Sequence, residues 1–384
     1  MSVDPSGGDP NNFSVAASIS AEGRYVAFGS FATDLVPGDG NGVQDVYVRD
    51  VSSETTTPVS VNTSGGLSGG NSASISADGR YVAFASSATD LVPGDGNGVP
   101  DVFVRDLQTD STSRVSVDTA GGDPNAISFG PSISADGRYV AFRSDASDLV
   151  VGDGNGFPDM FVRDLQSGVT TRVSVDTAGG DPNGQSFFDV SMSGDGRYVA
   201  FTSEASDLVP GDGNGARDVF VRDLLLSRTI RLSQRMFHGE ADGPSVLPSI
   251  SQDGRYVAFD SEATNLVDGD ENGFRDVFVK YARVVTVTGM TPNSLARGAT
   301  NVTVTINGTG FEPGSTVGLA KPSDEGGDIT VSSVNVVSDS EITAVLSVAA
   351  DAPVGTWGVR VIHPPTALGQ DRVAAGQCQC LEIT

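Results

Sequence analysis

With 49 acidic and 23 basic residues among 384, the chain carries a formal net charge of −26. A field of that sign repels nucleic acid and anionic membrane surfaces. No apolar run approaches the ~20 residues that a bilayer-spanning helix needs, so neither a nucleic-acid partner nor membrane insertion is expected.

The chain opens on SVDPSGGDPN at residues 2–11, which matches SVDTAGGDPN at 116–125. The start therefore reads as the outer strand of a repeating unit whose earlier strands are absent. No secretory signal is legible there, and a beginning inside a repeat reads as a mature or trimmed form.

The same unit then recurs. Its first turn is Glu22-Gly23-Arg24, Asp78-Gly79-Arg80, Asp136-Gly137-Arg138, Asp195-Gly196-Arg197 and Asp253-Gly254-Arg255, at steps of 56, 58, 59 and 58 residues. A second landmark, Asp39, Asp95, Asp153, Asp212 and Asp270, keeps those steps. Two landmarks that drift together mean that the unit is duplicated whole. In the third copy the β-branched and aromatic runs predict four strands: a over 131–134, b over 138–144, c over 159–164 and d over 171–176. Asp136-Gly137 is a tight-turn pair. A four-stranded meander repeated five times, with no helix to cover a face, packs radially and leaves only short edges. The fold class expected is all-β, with a five-bladed β-propeller over residues 1–283. The fifth unit stops after strand c, at 276–281. Ser2–Asp4 is expected to pair there as its outer strand, closing the ring and removing an open edge; the alternative is a chain cut at that point and a ring that closes badly.

The run SxDGRYVAF followed by DVFVRDL resembles the TolB-like, or PD40, class of WD40-like propeller repeat. The resemblance recurs five times over residues 1–283. The family's familiar propeller has six blades, and the blade count is where this chain departs from it.

The turn between strands b and c is acidic in every unit. Asp39, Asn41 and Asp45 recur as Asp95, Asn97 and Asp101, then Asp153, Asn155 and Asp159, then Asp212, Asn214 and Asp218. A Gly follows each Asn. Oxygen donors at alternate positions beside a Gly are what a Ca²⁺ loop needs. The fifth copy is fuller, with Asp268, Asp270, Asn272 and Asp276, and it resembles the calcium loop of integrin α-chain propellers. In the other four, Asp34, Asp90, Asp148 and Asp207 stand upstream as replacements for the missing first ligand. The other reading is that Asp-Gly and Asn-Gly form ordinary turns, with the side chain bonding its own backbone. A structural Ca²⁺ is the cofactor expected, since hard oxygen donors without His or Cys do not suit Zn or Cu. The b–c turns and the d–a joints should emerge on one face, a loop-rich acidic surface for a protein or glycan ligand.

The joint before the fifth unit, residues 233–243, breaks the repeat and holds His238. Beyond residue 283 repeats cease. GMTPNS, VTINGTGF, SDSEITAVLSV and GTWGVRV read as short strands with Gly turns and resemble an IPT/TIG-type immunoglobulin-like domain. A C-terminal Ig-like β-sandwich over residues 284–384 is expected, with Trp357, the one tryptophan, in its core. Cys378 and Cys380 are too close for an unstrained bond, so pairing with another chain and free thiols are both open.

The Arg–Asp pair ending each strand c (Arg49 and Asp50 in the first unit) repeats with the blade, as do Tyr25, Tyr81, Tyr139, Tyr198 and Tyr256, and structural roles are expected. No nucleophile elbow, HExxH motif or phosphate loop is present. The reading is a non-catalytic binding and scaffold protein, not an enzyme, that is secreted, on the cell surface or periplasmic. The alternatives are a glycan- or peptide-hydrolysing enzyme using carboxylates at the channel mouth, and a subunit of an extracellular assembly that pairs through its N-terminal strand.

Overall fold

The computed structural model describes residues 2–235, 239–282, 285–321, 327–362 and 377–384. His238 and His363 lie outside the described residues. The chain divides into two compact units, Met1–Ala282 and Arg283–Thr384. Every regular element among the described residues is a strand.

The first unit is a series of antiparallel sheets in chain order. The first holds β1 (Ser14–Ile19), β2 (Tyr25–Ser30), β3 (Asp45–Asp50) and β4 (Thr55–Pro58). The second holds β5 (Asn71–Ile75), β6 (Tyr81–Ser86), β7 (Asp101–Asp106) and β8 (Ser111–Arg114). The third holds β9 (Ser128–Ile133), β10 (Tyr139–Ser144), β11 (Asp159–Asp164) and β12 (Val169–Arg172). The fourth holds β13 (Ser186–Met192), β14 (Tyr198–Ser203), β15 (Asp218–Asp223) and β16 (Arg228–Arg231). The fifth has β17 (Ser245–Ile250), β18 (Tyr256–Ser261) and β19 (Asp276–Tyr281).

Strand alternation explains the stacking. Side chains one residue apart point to opposite faces. In the second sheet Ile75, Val82, Phe84 and Phe103 pack toward the first sheet. Ala83, Val102 and Val104 pack toward the third. The same division of large front face and smaller back face joins the third to the fourth and the fourth to the fifth. The first strands also touch one another directly. The amides of Ile75, Ile133, Met192 and Ile250 donate to the hydroxyls of Ser18, Ser74, Ser132 and Ser191 of the preceding sheets. The following turns form a ladder, in which Ala21, Ala77, Ala135 and Gly194 each donate an amide to the carbonyl of the next sheet's turn. Gly137 sits at φ +74° with Tyr81 of the preceding sheet pressed against it. A side chain there would meet that ring, which is why the Asp-Gly turn repeats with the tyrosine.

Two expectations are corrected. Strand d lies earlier than read: β12 ends at Arg172, and residues 173–176 run beyond it. Ser2–Asp4 corresponds to those later residues and forms no strand, and the fifth sheet ends at β19. Asp4 instead closes its own turn, accepting the amides of Ser6 and Gly8. The fifth sheet is not joined to the first among the described residues.

The second unit has two four-stranded sheets. One orders β20 (Thr286–Thr291), β22 (Val302–Thr309), β25 (Glu341–Val348) and β24 (Ile329–Val336). The other orders β21 (Ser294–Leu295), β27 (Gln377–Ile383), β26 (Gly355–Ile362) and β23 (Thr316–Ala320). They share one apolar core that includes Ile306, Ile342, Leu346, Val359 and Leu381. Trp357 is buried in it and donates its indole N–H to the Pro353 carbonyl at 3.0 Å. Cys378 and Cys380 are joined to each other. The sequence argued against that bond. An irregularity in the pairing of β27 with β26 falls at Cys380, between the Gly358–Gln379 and Trp357–Leu381 pairs, and departs there from regular strand spacing.

Candidate functional site

The acidic turns are built, but not as open oxygen cages. In all five, the Asn oxygen accepts an amide two residues on: Val43 to Asn41, Val99 to Asn97, Phe157 to Asn155, Ala216 to Asn214 and Phe274 to Asn272. The Asn amide nitrogen then donates to the last acid of the turn, Asp45, Asp101, Asp159, Asp218 or Asp276. The oxygen expected on a metal thus already accepts one bond within the turn. In the middle three units the d–a joint folds back beside its turn: the amides of Gly96, Gly154 and Gly213 reach Asp123, Asp181 and Glu240. The upstream acids do not supply a replacement ligand. Asp34, Asp148 and Asp207 accept the amides of Asn11, Asn125 and Asn183, and Asp90 takes Asn62.

In the middle three turns a guanidinium takes the central place. Arg114 Nη1 lies 3.4 Å from Asp95 and 3.7 Å from Asp101, and also contacts Asp123. Arg172 stands 3.2 Å from Asp153, 3.5 Å from Asp159 and 2.6 Å from Asp181. Arg231 stands 2.6 Å from Asp212, 3.3 Å from Asp218 and 3.0 Å from Glu240. These donor sets do not fit Ca²⁺, because a bonded cation already neutralises them. Burial pushes the Asp101, Asp159 and Asp212 carboxyls up to about 6, against the pull of the arginines. In the first turn Pro58 stands in the arginine's place, and the Tyr47 hydroxyl donates to Asp39 at 2.5 Å. The fifth turn has no fourth strand to bring an arginine. Asp270 Oδ1 is buried there without a hydrogen-bond partner, as Asp39 Oδ1 is in the first turn, while Asp268 and Asn272 are exposed. No cluster of three or more His, Cys, Asp or Glu placed to hold a metal occurs among the described residues.

The place where the repeat breaks is elsewhere, in β13. Ser14–Ile19, Ser128–Ile133 and Ser245–Ile250 are six-residue strands and Asn71–Ile75 has five, but Ser186–Met192 has seven. The extra residue swells the bulge between the Ser186 and Val190 pairings. Bulges re-aim side chains and gather at active sites. Here the swelling carries Phe187, Phe188 and Asp189. Phe188 is 58% exposed, with the buried Arg143 guanidinium 4.3 Å from its centroid and Phe129 set edge-on. Arg143 Nε donates to the Ser186 carbonyl, and its Nη1 lies 2.8 Å from Asp145. Arg217, exposed, stacks 3.8 Å from the Phe187 centroid. Burial raises the Asp189 carboxyl above its usual range, partly offset by the Leu247 amide and the Arg217 charge. The bulge carries one acid beside an exposed cation, Asp189 and Arg217, and in the adjoining residue an exposed aromatic ring, Phe188. Sequence reasoning missed it, although the 59-residue step that ends at this unit marks the inserted residue.

No protein-family model and no curated protein matches the chain. Among solved structures it is similar to a TolB-type protein of Agrobacterium tumefaciens, at 17% identity over 71% of this chain and 91% of that one, with a TM-score of 0.42. It is also similar to an oligogalacturonate lyase in complex with manganese, at 11% identity, 70% and 78% coverage and a TM-score of 0.33. An acylaminoacyl peptidase follows at 10% identity and a TM-score of 0.39, where 77% of this chain covers 43% of the other. Two of these structures are enzymes, so the expectation of a non-catalytic scaffold, and with it the reading as no enzyme, is withdrawn. Those names assign no activity to this chain.

Proposed function

We propose that the chain is an enzyme that cleaves an acidic glycan at the β13 bulge. The observation that carries the reading is the inserted residue, which places Phe187, Phe188 and Asp189 in the bulge of the longest of the five first strands, with Arg217 against Phe187 and Asp189. An aromatic face left open stacks on a sugar ring, and its rear face is held by Arg143 through a cation–π contact. Arg217 offers a planar fork to a sugar carboxylate, on a chain whose net charge of −26 would otherwise repel such a ligand. Asp189, its proton affinity raised by burial, is suited to hand a proton to the glycosidic oxygen as that bond breaks, while water adds to the anomeric carbon and releases its own proton to solvent. The expected carboxylates at the channel mouth are a poorer choice, since most are bonded to arginine. The experiment is cleavage of polygalacturonate and of a neutral polysaccharide by the 384-residue chain and its Asp189→Asn variant. Cleavage of the acidic polymer that drops on the order of 100-fold in kcat in the variant supports the reading. No cleavage of the acidic polymer, or equal rates for variant and parent, sinks it.

The finer architecture belongs to the same reading: five propeller blades in the first unit and an immunoglobulin-like sandwich in the second. Calcium is retained as a structural ion for the fifth turn alone, on the buried and unpartnered Asp270 Oδ1, with backbone carbonyl and water oxygens to complete its shell. A periplasmic or extracellular setting suits an acidic polysaccharide substrate and a strongly acidic surface.

A further inference from the structure

Each internal junction between neighbouring sheets buries the same positions, and two surfaces of those types are left uncovered. The first strand's closing residue is Ile75, Ile133, Met192 or Ile250 at the four junctions, and each is 7–8% exposed; its counterpart Ile19, in the first sheet, is 62% exposed. On the opposite face Val46, Val102, Met160 and Val219 are wholly buried, whereas Val277, in the fifth sheet, is 72% exposed. Ala258 is partly exposed where Ala27, Ala83, Ala141 and Ala200 are sealed. The polar ladders stop at the same places. Among the described residues no amide reaches the Ser249 hydroxyl as Ile250 reaches Ser191, and the turn ladder runs from Ala21 to Gln252 without closing. Gly79, Gly137, Gly196 and Gly254 each abut a tyrosine of the preceding sheet, but Gly23 abuts only Ile19.

We propose that the back of the fifth sheet and the front of the first are the two halves of one interface, and that a second copy of this chain completes it head to tail. Continuity with the four internal junctions identifies the occupant. The chemistry that covers the counterparts of Val277 elsewhere in the molecule is an Ile–Val–Phe front face; in the first sheet Ile19 is its exposed member, while Val26 and Phe28 beneath it are only 5% and 4% exposed. The Gln252 amide of one copy would continue the turn ladder to the Ala21 carbonyl of the next, and the Ile19 amide would reach Ser249. Contact of this kind is heterologous, because the two halves differ.

Mass in solution over a range of concentrations, by sedimentation or light scattering, tests it with three chains: the parent, Ile19→Glu and Val277→Glu. Both residues are exposed, so both variants should keep the parent's fold by circular dichroism, with a lower melting temperature than the associated parent. The parent is expected to reach at least twice the monomer mass, and each variant alone to stay a monomer. Mixed, the variants should form a dimer and stop there, because each retains one intact half. A parent that is monomeric throughout overturns the proposal. So does a parent oligomer that either variant preserves, or variants that remain monomers when mixed.

Discussion

Arg231 Nη1 stands 2.6 Å from Asp212 Oδ1, with both side chains 4% exposed. Removing one partner of a buried pair leaves an unpaired charge, which costs ~3–5 kcal/mol. Arg231→Met should therefore lower the unfolding free energy by about that amount, read by urea denaturation, because Asp212, Asp218 and Glu240 lose their shared cation. Adding Asp212→Asn should restore part of it. A single variant as stable as the parent would mean that the arginine is a spectator.

The stability should peak in mild acid. The Asp101, Asp159 and Asp212 carboxyls titrate at about 6 in the folded chain, against a usual 3.8. A raised carboxyl binds its proton more tightly when folded, so its stabilising share is complete below the unfolded value and is lost as pH rises through 6. Asp50, Asp106 and Asp164, held by Arg24, Arg80 and Arg138, are shifted well below the ordinary range. Their share is present above the unfolded value and fades as pH falls below it. The melting temperature should rise from neutral pH toward pH 5 and fall below pH 4, windows set by the usual carboxyl values. A monotonic fall from neutral pH would count against the buried-carboxyl account.

Two glycines separate backbone strain from crowding. Gly121 has φ +85° and open space around it, whereas Gly137 has φ +74° with Tyr81 in the way. Gly121→Ala should cost about 1–2 kcal/mol, the penalty of a left-handed conformation. Gly137→Ala should cost about 1–3 kcal/mol more, because the neighbouring sheet must give way. Chemical denaturation of the pair reads the difference, and equal losses would mean that the tyrosine moves freely.

Calcium should act at one turn only. Added Ca²⁺ is expected to raise the melting temperature of the parent, and chelator to reverse the gain. Asp270→Asn should abolish the response, while Asp153→Asn, whose turn already holds Arg172, should keep it. A response that survives the first change, or none in the parent, removes calcium from the fifth turn.

Much of the fold was legible because the repeat carries it. The Asp-Gly turn, the YVAF run and DVFVRD recur with fixed offsets, and each becomes the same strand or turn. Strand d was misplaced because its alternation continues past Arg172 into residues whose serine, Ser174, turns to bond Asp159. The metal reading failed in the middle turns for a reason that spacing within the turn cannot reveal. Arg114, Arg172 and Arg231 arrive from a different strand, 19 residues after Asp95, Asp153 and Asp212. The β13 site was invisible to a comparison that sought what the copies share, since its content is a departure: one added residue, and Arg143 where other copies have Gly29, Ala85, Thr202 and Asp260.

Because the sheets form nearest-neighbour junctions in series, cohesion in the first unit accumulates junction by junction. The third sheet, gripped on both sides and farthest from either end, should exchange its amide hydrogens slowest, and fraying should advance inward from the first and fifth. Asp189 binds the Leu247 amide in the fifth sheet. A ligand that engages Asp189 would therefore spend part of its affinity on damping that fraying, and bound chain would be measurably stiffer at one tip.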